Sequence, residues 1–565
     1  MYIYRINMAD TTIKKENVPP RYKHLGGRGL TSLVLSDELD PQASPLGEEN
    51  ILVIAPGLLT GTVAPSSGRT SIGAKSPLTG TIKESNAGGT AGQYLAGHKI
   101  KAIIIEHLPK QENSWVIIIE SNTLKIEARN NLRGLGNYDT LAKLRSEFGD
   151  QCSIISIGPA GEAGSAMSTI AFSDLEGRPS RHAGRGGLGA VMGSKGIKAI
   201  VINRPNDPIC EPHDKVKFME TVKKFSIELH QTKKVLRDYG TAMLVNAINA
   251  TGGLPTRNFS TGYNEKAEEI SGEKLHELCQ VRKGKTGHAC SRGCAVRCSN
   301  IFNNVNNNYV TSGLEYETIA LLGSNCGINN LDEIAQLDRL CDDLGLDTME
   351  TGVSLGVAME AGALSFGDFE QMKRAVNDIV SGEEIGKIVG QGSVATGKIL
   401  GVSRVPAVKG QALSAYDPRA LKGTGVTYAT SPMGADHTAG NCLPGRGGLK
   451  PYESDGQIDL SRNLQIITMV CDFLGICIFV GPVPQYMPVF SALASSFVGE
   501  EISEETLYEL SRSILEKEEE FNSMAGIGKE HNDLPDFFRK EPLPNNGHVF
   551  DISTEDLMGF TFRKV

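Results

Sequence analysis

His288-Ala289-Cys290-Ser291-Arg292-Gly293-Cys294-Ala295-Val296-Arg297-Cys298 is the stretch from which the rest of the chain can be read. Three cysteines, each separated by three residues, either stack on one helix face or converge from a short irregular turn around Gly293. Both arrangements aim three thiolates at one centre. A four-iron cluster takes one thiolate per iron, commonly three from a local run and one from far away. Zinc sites pair two close cysteines with a second pair downstream, and no second pair of that kind exists here. The plainer alternative is three cysteines packed as small hydrophobes. Ser291, Arg292 and Arg297 make the setting polar, and arginine suits a negatively charged cluster, so the cluster reading leads and asks for a fourth ligand.

The 565 residues exceed one core and imply two or three domains with room for a large cofactor. Sixty-four glycines cluster in loops, which signals close backbone approaches. With 57 basic and 66 acidic residues the net charge is -9, which argues against nucleic acid as a partner. Eleven cysteines show no disulfide spacing, and Met1-Tyr2-Ile3-Tyr4-Arg5 lacks an apolar signal core, so a reducing cytoplasm is expected. Leu464 to Val483 is apolar, but Asp472 and the prolines 482 and 484 mark a buried core helix rather than a membrane span.

Along the first 200 residues, β-branched runs recur at 51–54, 102–105, 115–119, 154–157 and 199–202, separated by glycine-dense loops. Pro205, Pro208 and Pro212 punctuate a linker, and helical patterning starts near Lys215. Residues 215–400 read as helices carrying the cysteine stretch, 401–460 as irregular, and the last forty residues as a polar surface tail. No repeat of solenoid length is visible. The expectation is an α+β protein: a β-rich N-terminal base domain, 1–208, followed by two mainly α-helical domains, 209–410 and 411–565.

Two hexapeptides match each other. Asp342-Asp343-Leu344-Gly345-Leu346-Asp347 and Asp472-Phe473-Leu474-Gly475-Ile476-Cys477 each close a helix with a glycine suited to the left-handed conformation. They predict two similar sites for two similar ligand halves. Cys477 is the candidate fourth cluster ligand. A helix-terminal carboxylate suits a planar guanidine-like or aminopyrimidine edge, which pterins present. Singly, each aspartate reads more simply as a local cap. Gly184-x-Gly186-x-x-Gly189 matches a dinucleotide fingerprint formally, but Ser180-Arg181-His182-Ala183 is a poor strand and no clean helix follows, so that reading is declined. What remains is anion cradling by exposed N–H groups, with Arg69, Arg181 and Arg185 at hand and Asn86 placed for phosphate or its Mg²⁺.

Leu25-Gly26-Gly27-Arg28-Gly29-Leu30, Gly68-Arg69 through Lys75-Ser76-Pro77-Leu78-Thr79-Gly80 to Asn86, and Ala183-Gly184-Arg185-Gly186-Gly187-Leu188-Gly189 together resemble the N-terminal domain of the aldehyde:ferredoxin oxidoreductase family. The cysteine triplet, Glu315-Tyr316-Glu317-Thr318, both hexapeptides, and Tyr428 through His437 continue the resemblance in order, from about 25 to 480. It implies tungsten or molybdenum held by two pyranopterins, one [4Fe-4S] cluster, and Mg²⁺ on the pterin phosphates. By position, Cys290, Cys294, Cys298 and Cys477 would bind the cluster, and Asp342, Leu346, Asp347, Asp472 and Ile476 the pterins. Arg69, Asn86, Gly88, Ala183, Gly184 and Arg185 would serve the phosphates and Mg²⁺. Glu317, or Glu315 in the other register, and His437 would handle protons. The resemblance also implies a small aldehyde as substrate, ferredoxin or a ferredoxin-like subunit as electron acceptor, and a homodimer.

One departure stands out: the better-known members have two residues between the first two cysteines, and here Ser291-Arg292-Gly293 makes three, the mark of a divergent branch. The main alternative keeps the cofactor and runs it backwards, as a low-potential reductase of activated acids or aromatic thioesters. A radical enzyme using S-adenosylmethionine would want Cys-x3-Cys-x2-Cys, which this spacing misses by one. A plain electron-transfer subunit would need no Glu/His pair.

Overall fold

The structure is a computed structural model that describes residues 1–121, 123–207 and 209–563. Isoleucine-rich segments build two six-stranded sheets before residue 203. The first holds β1 (Tyr2–Asn7), β2 (Thr12–Asn17), β3 (Leu52–Pro56), β4 (Thr70–Lys75), β5 (Ile82–Ala87) and β6 (Ile100–Glu106) in the order β2-β1-β6-β3-β4-β5. The second holds β7 (Trp115–Glu120), β8 (Thr123–Ala128), β9 (Ser153–Ser156), β10 (Ile170–Phe172), β11 (Arg181–Ala183) and β12 (Ile197–Ile202) in the order β8-β7-β12-β9-β10-β11. The two orders are the same. In each sheet one pair is parallel, β1 with β6 and β7 with β12.

Strand periodicity explains how these layers are held. Successive side chains point to opposite faces, so Ile103 and Ile105 join Ile117, Ile119, Ile200 and Ile202 in one core between the sheets. Ala102 and Ile104 face the helix Gly27–Glu38, while Val116, Ile118 and Val201 face Leu141 and Leu144 of the helix Asn137–Phe148. Each such buried isoleucine contributes ~1.5–3 kcal/mol of transfer free energy. The base domain is therefore a doubled unit, and Ile100-Lys101-Ala102-Ile103 recurs as Ile197-Lys198-Ala199-Ile200.

Beyond Lys215 helices dominate, so the α+β expectation agrees with the observed architecture. The expected boundary at 208 falls on Pro208, which lies outside the described residues. Gln457–Leu474 is a buried helix that stops at Gly475, the glycine the second hexapeptide places there. Among the described residues no helix is long and apolar enough to cross a membrane.

Four local expectations are corrected. The cysteine stretch itself takes the irregular turn of its two expected arrangements, with positive φ at Gly293 (73°) and Arg297 (56°). It joins two strands of a three-stranded sheet, Lys285–His288, Ser299–Asn303 and Tyr309–Ser312, inside the region read as purely helical. Arg181–Ala183 is a strand after all and Leu188–Ser194 a short helix, although the following strand β12 is not the neighbour of β11, so no dinucleotide fold results. Lys422–Thr430 is a helix within 401–460, buried on every side, which erases the periodicity that would have shown it. The last forty residues are not a tail: Phe538, Phe550, Leu557, Phe560 and Phe562 are buried, and Phe538 meets Phe259 edge-on at 5.7 Å.

Candidate active site

The two hexapeptides end their helices as the sequence predicts, with Gly345 at φ 74° and Gly475 at φ 77°. Each loop docks on one half of the doubled base at an equivalent place. Arg69 N–H donates to Gly475 O at 3.2 Å, and Thr169 N–H to Gly345 O at 2.9 Å. Glycine is required opposite them: a β-carbon on Gly57 would stand 2.1 Å from Gly475 Cα, and one on Gly158 2.2 Å from Leu344 O. Ile476 N–H and Leu346 N–H fold back onto Cys471 O and Cys341 O at 2.9 and 2.8 Å. The twofold match of the loops is thus built on the duplication of the sheets.

The equivalence reaches the side chains. Asn86 Nδ2 lies 3.5 Å from Asp472 Oδ1 in one half, and His182 Nε2 lies 3.0 Å from Asp342 Oδ1 in the other. Cys477 and Asp347 close the two hexapeptides, and each meets an arginine: Arg69 Nη2 donates to Cys477 Sγ at 3.1 Å, and Arg185 Nε to Asp347 Oδ2 at 3.3 Å. Burial pushes Asp347 up to about 6 against the pull of Arg185. Asp472 also sits well above its ordinary range, from burial first and then the neighbouring Glu84, although Arg28 Nη1 is 3.4 Å away.

All four candidate cluster cysteines gather at this junction. Arg69 acts on Cys477, Cys290 and Cys298 together. A hydrogen bond from the Cys294 thiol, and behind it Arg69 and Arg181, draws Cys290 well below the usual thiol range. Burial pushes Cys298 the other way. Gly88 leaves room here, since a β-carbon on it would lie 3.1 Å from Cys290 Sγ. Among the described residues no three His, Cys, Asp or Glu close on a single ion. The donor set, four thiols with an arginine among them, fits a four-iron cubane, which takes each thiolate at a separate corner.

A cavity of about 340 Å³ joins these parts, with Cys290, Cys298, Asp342, Glu317 and His437 on its wall. Glu317 Oε1 is 3.1 Å from His437 Nε2, its Oε2 accepts from Ala415 N–H at 2.8 Å, and His437 Nδ1 is 2.8 Å from Ser414 Oγ. Glu315 does not join this pair. It accepts from Thr241 Oγ1 at 2.5 Å, and burial raises its carboxyl. Arg185, also buried, spends its donors on Ala435 O and Ala412 O, both at 2.7 Å, and on Asp347. Ala183 is buried at the end of β11, and Gly184 lines the cavity with nothing within 4 Å of where its β-carbon would stand.

Arg181 Nε and Nη2, Asp342 Oδ2, Ser299 Oγ and Thr468 Oγ1 are buried without a hydrogen-bond partner, and all belong to residues on the cavity wall. Leaving such groups unpaired costs about 1–3 kcal/mol each, so the wall is shaped for a polar ligand. From the sequence Arg181 has no role beyond standing at hand for phosphate, and His182 and Arg28 have none. The doubling would have flagged His182, which aligns with Asn86.

A doubled β base, two matched helix-terminal loops, a four-thiol group and a buried Glu/His pair on one cavity define a redox enzyme with a large enclosed cofactor. The chain belongs to the aldehyde ferredoxin oxidoreductase family: residues 3–204 match that family's N-terminal domain and residues 217–559 its domains 2 and 3. It is an oxidoreductase. The tungsten-containing aldehyde ferredoxin oxidoreductase of Pyrococcus furiosus is 35% identical over 96% of this chain and 93% of its own length. That of Thermococcus kodakarensis is 34% identical, with the same coverage of 96% and 93%. In fold alone, the chain is similar to the active site complex BamBC of benzoyl coenzyme A reductase in complex with 1,5-dienoyl-CoA (TM-score 0.82, 18% identity, 99% of this chain and 94% of that one).

Proposed function

We propose that this enzyme oxidises a small aldehyde to the carboxylic acid at a tungsten ion held by two pyranopterins, and passes the electrons through a [4Fe-4S] cluster to ferredoxin or a similar carrier. The observation that carries the reading is the Glu317–His437 pair, 3.1 Å apart, on the same cavity wall as Cys290, Cys298 and Asp342. The names of the two relatives favour tungsten over molybdenum. In this reading Cys290, Cys294, Cys298 and Cys477 hold the cluster, the loops of Asp342 and Asp472 hold the pterins, and the Asn86–Gly88 and Ala183–Arg185 segments serve phosphate and Mg²⁺. The division into 1–208, 209–410 and 411–565, a homodimer and a cytoplasmic setting belong to the same proposal.

When bound, the metal supplies the two-electron acceptor and polarises the carbonyl. The aldehyde and one water give the acid, two electrons and two protons. Glu317 is fixed through Oε2 by the Ala415 N–H, leaving Oε1 to orient His437. Glu317 and His437 can therefore hold a proton between Oε1 and Nε2 while Ser414 sits at Nδ1, and Tyr416, its ring centroid 5.7 Å away, limits the tilt of the imidazole.

Viologen dye separates this reading from its reverse. Aldehyde-dependent reduction of oxidised dye by protein purified without air is the expected result. Oxidation of reduced dye by an aromatic acyl thioester, with aldehydes inert, would replace it by the reductase reading.

A further inference from the structure

The wall of the cavity that carries His437 runs past Asn441 and Leu443 to Arg446, where the chain is exposed at Pro444, Gly445, Gly447 and Gly448. Of the buried arginines in and around the cavity, Arg28, Arg185 and Arg419 each face a carboxylate, namely Glu518, Asp347 and Asp417, while Arg69 and Arg181 face the cysteine cluster. Arg446 faces no carboxylate among the described residues. Its one hydrogen bond runs from Nη1 to Pro482 O at 3.4 Å. Burial lowers its pKa, and the groups that act back on it are the Cys442 and Cys471 thiols and the Tyr416 phenol, none of them an anion at neutral pH.

A second cation stands beside it. Lys233 Nζ would be 3.5 Å from a β-carbon on Gly481, the residue next to Pro482. Burial and then Arg446 lower its pKa, while Cys477 and, more weakly, Glu228 act the other way. Arg446 and Lys233 are two partly buried cations against the 481–482 turn, with no carboxylate paired to either among the described residues, and their mutual repulsion is relieved by an anion bound at Arg446. Tyr416 links this end of the cavity to the reacting end, because its ring packs on His437.

We propose that Arg446, backed by Lys233, binds an anionic group at the far end of the substrate, so that the preferred aldehydes carry a terminal carboxylate. The guanidinium fork matches that group in two parallel hydrogen bonds. This rests on the aldehyde reading above for its reaction, and on the cavity alone for its anion.

Calorimetric titration of the holoenzyme with 4-hydroxybutanoate and with butan-1-ol tests it without turnover, since neither probe carries an aldehyde. The expected result is roughly ten- to a hundred-fold tighter binding of the hydroxyacid, the worth of a charge-assisted pair, with that preference lost in Arg446→Leu and reduced in Lys233→Gln. Equal binding of the two probes by the wild-type protein, which requires no variant to fold, would overturn it, and so would a preference that survives Arg446→Leu. If the preference holds while no aldehyde reduces viologen, the anion site stands and the aldehyde reading falls.

Discussion

Substituting alanine for Gly57 should strip iron from the protein, while the same substitution at Gly158 should leave iron and remove the heavy metal. The added β-carbon at 57 would sit 2.1 Å from Gly475 Cα and 2.4 Å from Gly475 N, where ordinary contact is about 3.5–4.0 Å. Both partners are backbone, so the Asp472–Cys477 loop must retreat by more than ~1 Å. The loop is held by Leu58 N–H to Phe473 O and Leu59 N–H to Leu474 O, both 2.9 Å, and by Arg69 N–H to Gly475 O at 3.2 Å. Overpacking costs ~1–3 kcal/mol and each weakened bond ~0.5–1.5 kcal/mol, so the loop loses a few kcal/mol but the sheets remain. Metal sites tolerate ligand errors of only about 0.2 Å, and Cys477 rides on this loop. At Gly158 the clash is with Leu344 O at 2.2 Å, and the displaced loop ends in Asp347 instead of cysteine. Iron and tungsten per chain, measured by mass spectrometry beside a circular dichroism melt, reads the difference. Equal iron loss in both variants, or full iron in Gly57→Ala, would refute the assignment of the two loops.

Other outcomes follow from single contacts. Glu317→Gln should lower kcat by roughly 10²–10⁴-fold with unchanged metal content, and Glu315→Gln, whose carboxyl is engaged by Thr241, should lower it less; steady-state kinetics showing the reverse order would reassign the base. Arg28→Met leaves the buried Glu518 carboxylate, otherwise bound at 3.0 and 2.7 Å, facing Ser32 alone; urea unfolding should show a loss of ~3–5 kcal/mol, and no measurable loss would contradict that network. Lys101 is 5% exposed, its ammonium donates to Lys23 O at 3.1 Å and to no other group among the described residues, and burial pulls it from 10.5 down to about 8. The unfolded chain therefore holds the extra proton between those values, so wild-type stability rises with pH across that window. Lys101→Met should gain ~2 kcal/mol at pH 7, after ~1 kcal/mol for the lost hydrogen bond, and the gain should shrink as pH approaches 10.5; a gain independent of pH would show that the charge is not its source.

Five strands of the base domain were legible because they are β-branched runs bounded by turn formers, and each of those runs falls within or against an observed strand. The paired hexapeptides were legible because a helix-ending glycine with an aspartate before it leaves a local mark. What escaped was long-range or masked. Arg181–Ala183 is only three residues long, and Lys422–Thr430 is buried all round, so neither shows a period. The C-terminal aromatics are spaced among polar residues and find their core through partners far away in sequence, Phe538 on Phe259 and Phe550 against Gly425. The choice between Glu315 and Glu317 needed three-dimensional proximity to His437, which no spacing encodes.

The central claim is most directly tested by the metal content of the wild-type chain, purified without air from cells given both tungstate and molybdate. About four irons and one tungsten per chain is the predicted result. About four irons with neither tungsten nor molybdenum would leave a cluster protein without the pterin-bound metal, and the proposed aldehyde oxidation would fall with it.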